Sequence, residues 1–328
     1  MAGINIREAR KTDAKKIFEL MQQQAAEQNT VLSSHLTHEA VAEGGWGPAA
    51  VFMTFVAESK ETKEGELVGY ILAHRAYSTW EGRAMYIKEI YVVPASCHSG
   101  VATNLCKEML QAAVSMGCNR CDVRVNKANK AAKDLFEKLG AKNLTEAEDW
   151  HLFFMDSKAM TEMKARCKGQ GPSQVRQAVP EDMAGVMTMI QELADYEKMS
   201  DGPKINAHTL VTDSSPDTFF ECFVAESDGT LVGYALPYHT FSSQGRGIYM
   251  EDLYVKPAHR GQGLGTALMA RVAQRGLTLG ADHLEFSVLS WNTPSTAFYQ
   301  ARGAINITAD RGAQLYRFVD SVMRKCVQ

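Results

Sequence analysis

The chain contains 328 residues, 45% of them hydrophobic and 22% charged, which is typical of a globular protein and suggests two domains at about 150 residues each. The net charge of −3 leaves no cationic excess for neutralising a phosphate backbone, so nucleic acid is not an expected partner. No apolar run approaches the roughly 20 residues that span a bilayer, and Arg7 and Glu8 follow the start without a signal-type apolar stretch. We therefore expect a cytoplasmic protein with no membrane partner.

An internal repeat organises the chain. Leu67-Val68-Gly69-Tyr70 recurs as Leu231-Val232-Gly233-Tyr234, and Gly140-Ala141 recurs as Gly303-Ala304. A repeat this long indicates tandem domains, because the units of a solenoid are about 20 to 50 residues. The segment between the copies is polar and interrupted by glycine and proline, as linkers often are. The predicted domains are residues 1–160 and 174–328, joined by a linker at residues 161–173.

The second copy gives the clearer order of elements. Its apolar periodicity and turn residues predict, in chain order, a strand at 175–178, a helix at 180–197, hairpin strands at 219–226 and 231–238, a strand at 248–255, a helix from Leu264, a strand at 284–288, a helix at 293–302 and a strand at 314–319 that closes the sheet. This order predicts an α/β domain with a mixed sheet, and the first copy follows the same order.

One glycine-rich turn is a candidate binding site. Arg260-Gly261-Gln262-Gly263-Leu264-Gly265 lies between a buried strand and a helix, where unpaired backbone N–H groups and the helix dipole favour a bound phosphate. A plain loop is the alternative for the turn alone. The spacing of a dinucleotide-binding fingerprint is absent, because the run is Arg-x-x-Gly-x-Gly after a late strand.

The turn resembles the acetyl-CoA loop of the GCN5-related N-acetyltransferases (GNAT). Tyr249-Met250-Glu251-Asp252-Leu253-Tyr254-Val255 and the run from Trp291-Asn292 to Arg302-Gly303-Ala304 resemble the diamine (spermidine/spermine) and thialysine acetyltransferase branch. The resemblance covers nearly all of both copies. It implies two tandem GNAT-type domains, each a mixed, mostly antiparallel sheet flanked by helices, with acetyl-CoA as the acetyl donor and no metal.

The resemblance also implies roles for residues of the second copy. Glu251 would act as the base that takes a proton from the amine, because an ammonium near its usual pKa of about 10.4 has no lone pair for attack. Tyr299 would be the general acid for the leaving thiolate. The implied acetyl-CoA contacts are Leu253, Tyr254, Val255, Arg260, Gly261, Gln262, Gly263, Leu264, Gly265, Thr266, Asn292 and Ser295. The implied amine-site residues are Tyr196, Glu197 and Asp252, although strand alternation places Asp252 on the face opposite to Glu251.

The first copy differs at the two catalytic positions. Lys88 stands where Glu251 stands, and Phe136 stands where Tyr299 stands, so we expect the first copy to be inactive. Members of the resembled family are homodimers whose C-terminal tail reaches the partner's substrate site. The sequence therefore predicts an internal pseudo-dimer, which could be monomeric in solution, with Glu148 and Trp150 of the first copy completing the substrate site of the second.

The predicted function is acetyl-CoA-dependent N-acetylation of a primary amine on a small polyamine or thialysine-like substrate, with one working site in the C-terminal domain. Two alternatives stay open: acetylation of a peptide or protein amine, and a non-catalytic acyl-CoA-binding regulatory or scaffold protein.

Overall fold

Two seven-stranded sheets with flanking helices make up the fold in the computed structural model. The structure describes residues 3–60, 65–97, 99–144, 150–166, 175–214, 219–308 and 312–326. Within these ranges, no helix combines the length and the apolar character that a membrane span requires. Each sheet is mixed, with one parallel pair among antiparallel pairs near its centre.

The elements of the first half are β1 (Ile4–Glu8), α1 (Ala14–Glu27), α2 (His38–Trp46), β2 (Phe52–Ser59), β3 (Leu67–Ser78), β4 (Gly82–Val92), α3 (Val101–Ser115), β5 (Arg120–Asn126), α4 (Lys130–Lys138), β6 (Lys142–Asn143), β7 (Trp150–Asp156) and α5 (Ser157–Ala165). Those of the second half are β8 (Val175–Gln177), α6 (Met183–Tyr196), α7 (Ala207–Asp213), β9 (Phe223–Ser227), β10 (Thr230–Ser242), β11 (Gly245–Val255), α8 (Leu264–Thr278), β12 (His283–Leu289), α9 (Thr293–Gln300), β13 (Ile305–Asn306), β14 (Ala313–Val319) and α10 (Asp320–Cys326).

The predicted apolar stripe of α8 packs into the core of the second half. Leu264, Leu268 and Val272 are all buried, as the four-residue spacing requires of one helix face. The helix begins directly after the glycine-rich turn, with Gly263 as its N-cap in the left-handed region. The core therefore fixes the direction in which the first turn of α8 points.

The two halves exchange their last long strands. β7, from the first half, pairs antiparallel with β12 along its whole length, from Trp150 opposite Leu289 to Asp156 opposite His283. β14, from the second half, pairs in the same way with β5. The sheet orders are therefore β1-β2-β3-β4-β5-β14-β6 and β13-β7-β12-β11-β10-β9-β8. The prediction that 314–319 closes the sheet of its own copy is wrong, because the strand lies in the other copy's sheet.

Several element boundaries differ from the sequence prediction; for example, α6 begins at Met183 rather than at residue 180. The strand predicted from residue 219 begins at Phe223, and the helix predicted to reach residue 302 ends at Gln300. Helix α5 extends into the predicted linker, because Asp156 caps it by accepting the backbone N–H of Ala159 at 2.8 Å and because its two methionines are buried.

The central parallel strands separate beyond their first residues. β11 pairs with β12 only where Gly247, Ile248 and Tyr249 face residues 283–285, although both strands continue. Beyond this point their edges diverge, and a cavity opens between them. β4 and β5 of the first half diverge in the same way beyond Ile87.

Candidate active site

The gap between β11 and β12 forms the first of two connected cavities, called here the wedge cavity. It has a volume of about 470 Å³ and is lined by the diverging ends of both strands, by the turn before α8 and by α9. Because β12 does not pair with β11 here, the facing strand edges can bind an extended ligand through the backbone. The glycine-rich turn lies at one end of this cavity.

The geometry of the turn favours an anion. Gly261 and Gly263 have φ of +77° and +85°, a region that disfavours other residues, and among the described residues, apart from its chain neighbours, none lies within 4 Å of where a Cβ of Gly261 would stand. The Nε of Arg260 donates to the carbonyl of Val255 at 2.9 Å, which anchors the turn to the end of β11. The open backbone and the N-terminus of a 15-residue helix together provide N–H donors for a phosphate.

The predicted acetyl-CoA contacts gather around this cavity. Eleven of the twelve predicted contacts line it: Leu253, Tyr254, Val255, Arg260, Gly261, Gly263, Leu264, Gly265, Thr266, Asn292 and Ser295. Gln262 lies in the turn but is not among the lining residues of the described chain. Asn292 caps α9 and accepts the backbone N–H of Ser295 at 3.3 Å, so its position follows from the helix start.

Sequence reasoning missed Arg302, which also lines the wedge cavity. Its guanidinium lies 3.6 Å from the ring centroid of Phe298 and donates to Thr266 Oγ1 at 2.7 Å. The residue belongs to the Arg302-Gly303-Ala304 run that carried the resemblance, so a signal was present. Arg302 therefore adds a positive charge to the side of the wedge cavity that α9 forms.

A β-bulge presents Glu251 to the cavity. In the pairing of β10 with β11, Leu236 lies opposite Asp252 and Pro237 lies opposite Met250, so Glu251 is the extra residue of β11. A bulge bends its strand and redirects side chains. Both Glu251 and Asp252 line the wedge cavity, and strand alternation alone therefore gave the wrong expectation for Asp252.

Three carboxylic acids meet at the bulge, and each has a raised pKa. Burial raises the pKa of Glu251 to about 8; Arg120, whose Nη2 lies 3.9 Å away, opposes this rise, and Asp252 adds to it. Burial and the charges of Asp252 and Glu251 raise the pKa of Glu197 to about 8. Burial raises the pKa of Asp252 to about 6, against hydrogen bonds donated by Tyr234 and Thr79. A nearby positive charge favours the ionised form of a carboxylic acid, so a cationic group that entered here would be attracted to these three acids and would lower their pKa values.

Tyr299 lies across the wedge cavity on α9. Its ring packs against Phe286 at 4.3 Å and Phe298 at 5.2 Å between centroids. Burial raises its pKa well above the usual value, and the charges of Asp252 and Glu197 add to this effect. The phenol therefore keeps its proton at neutral pH and can donate it.

A second cavity, called here the interdomain cavity, lies between the two halves and has a volume of about 510 Å³. It shares five lining residues with the wedge cavity: Trp150, Glu197, Glu251, Asp252 and Ser287. The two cavities therefore meet at the carboxylic acids. Trp150 reaches this point because β7 is exchanged, whereas Glu148 lies outside the described residues.

Tyr196 lies on the wedge side of this junction. It lines the wedge cavity, and its hydroxyl donates to Asn292 Oδ1 at 3.3 Å. The guanidinium of Arg260 lies 5.6 Å from its ring centroid. The side chains that contact Tyr196 are thus predicted acetyl-CoA contacts. Glu197, the next residue in the chain, lines both cavities.

The first sheet contributes a basic wall to the interdomain cavity that sequence reasoning missed. Lys88, Arg120 and Arg124 line it from β4 and β5, and Arg317 lines it from the exchanged β14. Lys88 lies on a bulge like that of Glu251, since Leu72 pairs with Glu89 and the next pair skips Lys88. Lys88, Arg120 and Arg124 lie on neighbouring strands of the first sheet, and the strand exchange adds Arg317 to them, which the sequence pattern did not signal.

The first copy differs in chemistry at the two positions named from the sequence. The Nζ of Lys88 donates to Glu285 Oε2 at 3.1 Å, in an ion pair between the halves. Phe136 is buried, with its ring 6.1 Å from that of Phe318. Neither side chain supplies a carboxylate or a hydroxyl.

Comparison with known proteins identifies the family. The model of the acetyltransferase (GNAT) family matches residues 16–141 and 188–304, once in each copy. The chain belongs to the GNAT family of N-acetyltransferases. This GNAT protein is 38% identical over 161 residues to thialysine N-epsilon-acetyltransferase from Bos taurus, a match that covers 46% of this chain and 95% of the relative. It is 34% identical over 154 residues to spermidine/spermine N(1)-acetyltransferase-like protein 1 from Homo sapiens, which covers 44% of this chain and 22% of that one.

The tandem arrangement also occurs in a solved structure. A tandem GNAT protein from the clavulanic acid biosynthesis pathway matches with a TM-score of 0.51 and 14% identity, and the match covers 96% of this chain and 98% of that one. At this identity the likeness concerns the fold. The predicted fold class of two tandem GNAT domains is confirmed.

Proposed function

We propose that this GNAT protein transfers an acetyl group from acetyl-CoA to the primary amine of a small polyamine or amino-acid-like substrate, at one site in the second half. The observation that carries the proposal is the position of Glu251, on a bulge where the wedge cavity meets the interdomain cavity. A carboxylate at this junction faces a donor on one side and an acceptor on the other.

The wedge cavity fits acetyl-CoA. The turn of Arg260, Gly261 and Gly263 would bind its phosphates, and the separated edge of β11 at Leu253 and Val255 would bind its pantetheine arm. Acetyl-CoA supplies the acetyl group as a thioester.

Two side chains would move protons. The Glu251 carboxylate would take the proton of the acceptor ammonium, because its pKa of about 8 lies near the working range of a general base. The Tyr299 hydroxyl, which keeps its proton, would donate it to the thiolate. Asp252 and Glu197 would attract the cationic amine, and their charge would also hold the Tyr299 proton in place.

We also propose that the first copy is inactive. Lys88 would repel a cationic amine and is bonded to Glu285, and Phe136 has no proton to give. The first half would then serve the site of the second half, with Trp150 at the junction and Glu148 retained as a predicted contact to the amine.

Replacing Glu251 tests the proposal. Thiol release from acetyl-CoA is measured with putrescine, spermidine, spermine, thialysine and a lysine peptide. Glu251→Gln should lower kcat by about 10²- to 10⁴-fold with the best acceptor, the range for loss of a positioned base. Glu162→Gln, at an exposed position of α5, is the matched control and should keep full activity.

Other outcomes separate the competing functions. Turnover of the lysine peptide alone would favour a protein or peptide substrate. Tight binding of CoA without thiol release for any amine would favour the scaffold function, and would contradict the proposal. Full activity of Glu251→Gln would mean that the proton leaves by another route.

A further inference from the structure

The interdomain cavity is lined by side chains of both charges. Glu197, Glu251 and Asp252 stand at the junction with the wedge cavity. The lining also includes four cationic side chains on β4, β5 and β14 of the first sheet, Lys88, Arg120, Arg124 and Arg317, and Arg120 lies 3.9 Å from Glu251. The substrate site is therefore not uniformly acidic, as a site for a polycation would be expected to be.

Three of the four cations are bonded to carboxylates. Asp122 lies 3.2 Å from the Nε of Arg120 and accepts a hydrogen bond from the Nε of Arg317 at 2.8 Å. Lys88 is bonded to Glu285 at 3.1 Å. Asp122 is thus shared by Arg120 and Arg317, and Glu285 is paired with Lys88.

Arg124 is the exception. Its Nη2 donates to Ser287 Oγ at 3.3 Å, and in the described part of the chain no carboxylate lies within 4 Å of its guanidinium. Glu285 acts on it electrostatically, but that carboxylate is bonded to Lys88. Arg124 is half-buried, so a charge without a carboxylate partner is costly there unless a ligand provides one.

Ser287 links Arg124 to the reaction site. It lines both cavities, and it also accepts a hydrogen bond from the hydroxyl of Tyr249 at 2.9 Å. Arg124 therefore stands one side chain away from the junction that Glu251 occupies. An anion bound by Arg124 and an amine at Glu251 could belong to one small molecule.

We infer that Arg124 binds a carboxylate of the acceptor, so that the preferred substrate is an amino acid with a side-chain amine rather than a diamine or polyamine. The inference rests on the proposed function and names the substrate class of the same site. The planar guanidinium offers two parallel N–H donors, a geometry that matches a carboxylate. A second ammonium in this position would instead meet a cation.

Acceptor pairs that differ only by the carboxylate test the inference. Ornithine is compared with putrescine, and lysine with cadaverine, by the rate of thiol release from acetyl-CoA. The unmodified protein should give a higher kcat/KM for each amino acid. Arg124→Met should lower kcat/KM for the amino acids by about 10- to 100-fold, mainly through KM, and should leave or improve that for the diamines.

Two further variants guard against a structural effect. Arg124→Lys keeps the charge without the planar fork and should restore part of the preference, which loss of folding would not allow. Arg324→Met, at an exposed position on α10, should change neither acceptor.

Equal or better turnover of the diamines by the unmodified protein would overturn the inference and leave the proposed acetyltransferase function intact. Equal loss of both acceptor types in Arg124→Met would likewise overturn it. Absence of thiol release with every amine would instead overturn the proposed function itself, and the inference with it.

Discussion

At the scale of single residues, the two copies carry opposite charges at one position on matching bulges. Glu251 and Lys88 both protrude from their strands at the point where the halves meet. Glu251 lies near Arg120 of the other half, and Lys88 is bonded to Glu285 of the other half. The same kind of β-bulge thus presents a carboxylic acid, the proposed base, in one copy and an ion-paired lysine in the other.

The pKa of Glu251 predicts a pH dependence. An acid with a pKa of about 8 is a base only when ionised, so kcat/KM should rise with pH up to about 8 and then level off. Arg120 lowers the pKa of Glu251, so Arg120→Met should move this limb to higher pH. Rates from pH 6 to 10 measure the shift.

Arg271→Met, on an exposed part of α8, is the control for that experiment and should leave the profile unchanged. Arg120→Lys keeps a cation near Glu251 and should give an intermediate profile. If the rise of kcat/KM with pH does not shift in Arg120→Met, a group other than Glu251 controls that rise.

Tyr299 provides a second test at this scale. Tyr299→Phe removes only the hydroxyl and keeps the ring packing against Phe286, so kcat should fall by about 10²- to 10⁴-fold while stability changes little. Tyr91→Phe, which removes a hydroxyl bonded to Glu27 in the first copy, should leave kcat unchanged. Unaltered kcat in Tyr299→Phe would mean that the thiolate leaves without a proton from this residue.

At the scale of elements, the glycine turns of the two copies have nearly the same backbone. Gly263 and Gly100 each cap a 15-residue helix, with φ of +85° and +79°. An alanine would be strained at either position by about 1–2 kcal/mol. Alanine substitutions at Gly263 and Gly100 therefore form a matched pair: the expected backbone strain is the same, and only the copy in which it occurs differs.

This pair predicts a clear contrast. Gly263→Ala and Gly100→Ala should lower the melting temperature to a similar extent. Only Gly263→Ala should raise the KM for acetyl-CoA, by about 10-fold for a loss near 1.4 kcal/mol of binding free energy. A similar rise for Gly100→Ala would show that the first copy contributes to turnover.

The sequence predicted much at this scale, because periodicity and glycine spacing are local signals. The stripe of α8 and the position of the turn followed from residues close together in the chain. The bulge at Glu251 was missed, since an extra residue in one strand depends on its pairing with β10. The sheet to which β14 belongs was missed as well, because its alternating pattern suits either sheet.

At the scale of the whole molecule, the exchanged strands join the halves by pairing each strand with the sheet of the other half. β7 and β14 each add backbone hydrogen bonds along a full strand of the other sheet. Met160 on α5 and Phe318 on β14 are buried, so apolar contacts accompany the pairing. Both exchanged strands line the interdomain cavity, β7 through Trp150 and β14 through Arg317.

Cutting the chain tests this view. A protease site inserted between Arg166 and Val175 should, once cleaved, leave the two fragments co-eluting in size-exclusion chromatography and still active. Denaturant should separate them. Fragments that elute apart in native buffer would show that the exchanged strands do not hold the halves together.

The exchange within one polypeptide has an evolutionary consequence. In an assembly of two identical chains, every substitution occurs twice, so a gain on one side of the symmetry axis is repeated on the other. Fusion of the two copies removes this constraint, and each corner of the junction can be selected separately. Lys88 and Glu251, which occupy matching positions of the repeat and matching bulges, differ in the way that this freedom allows.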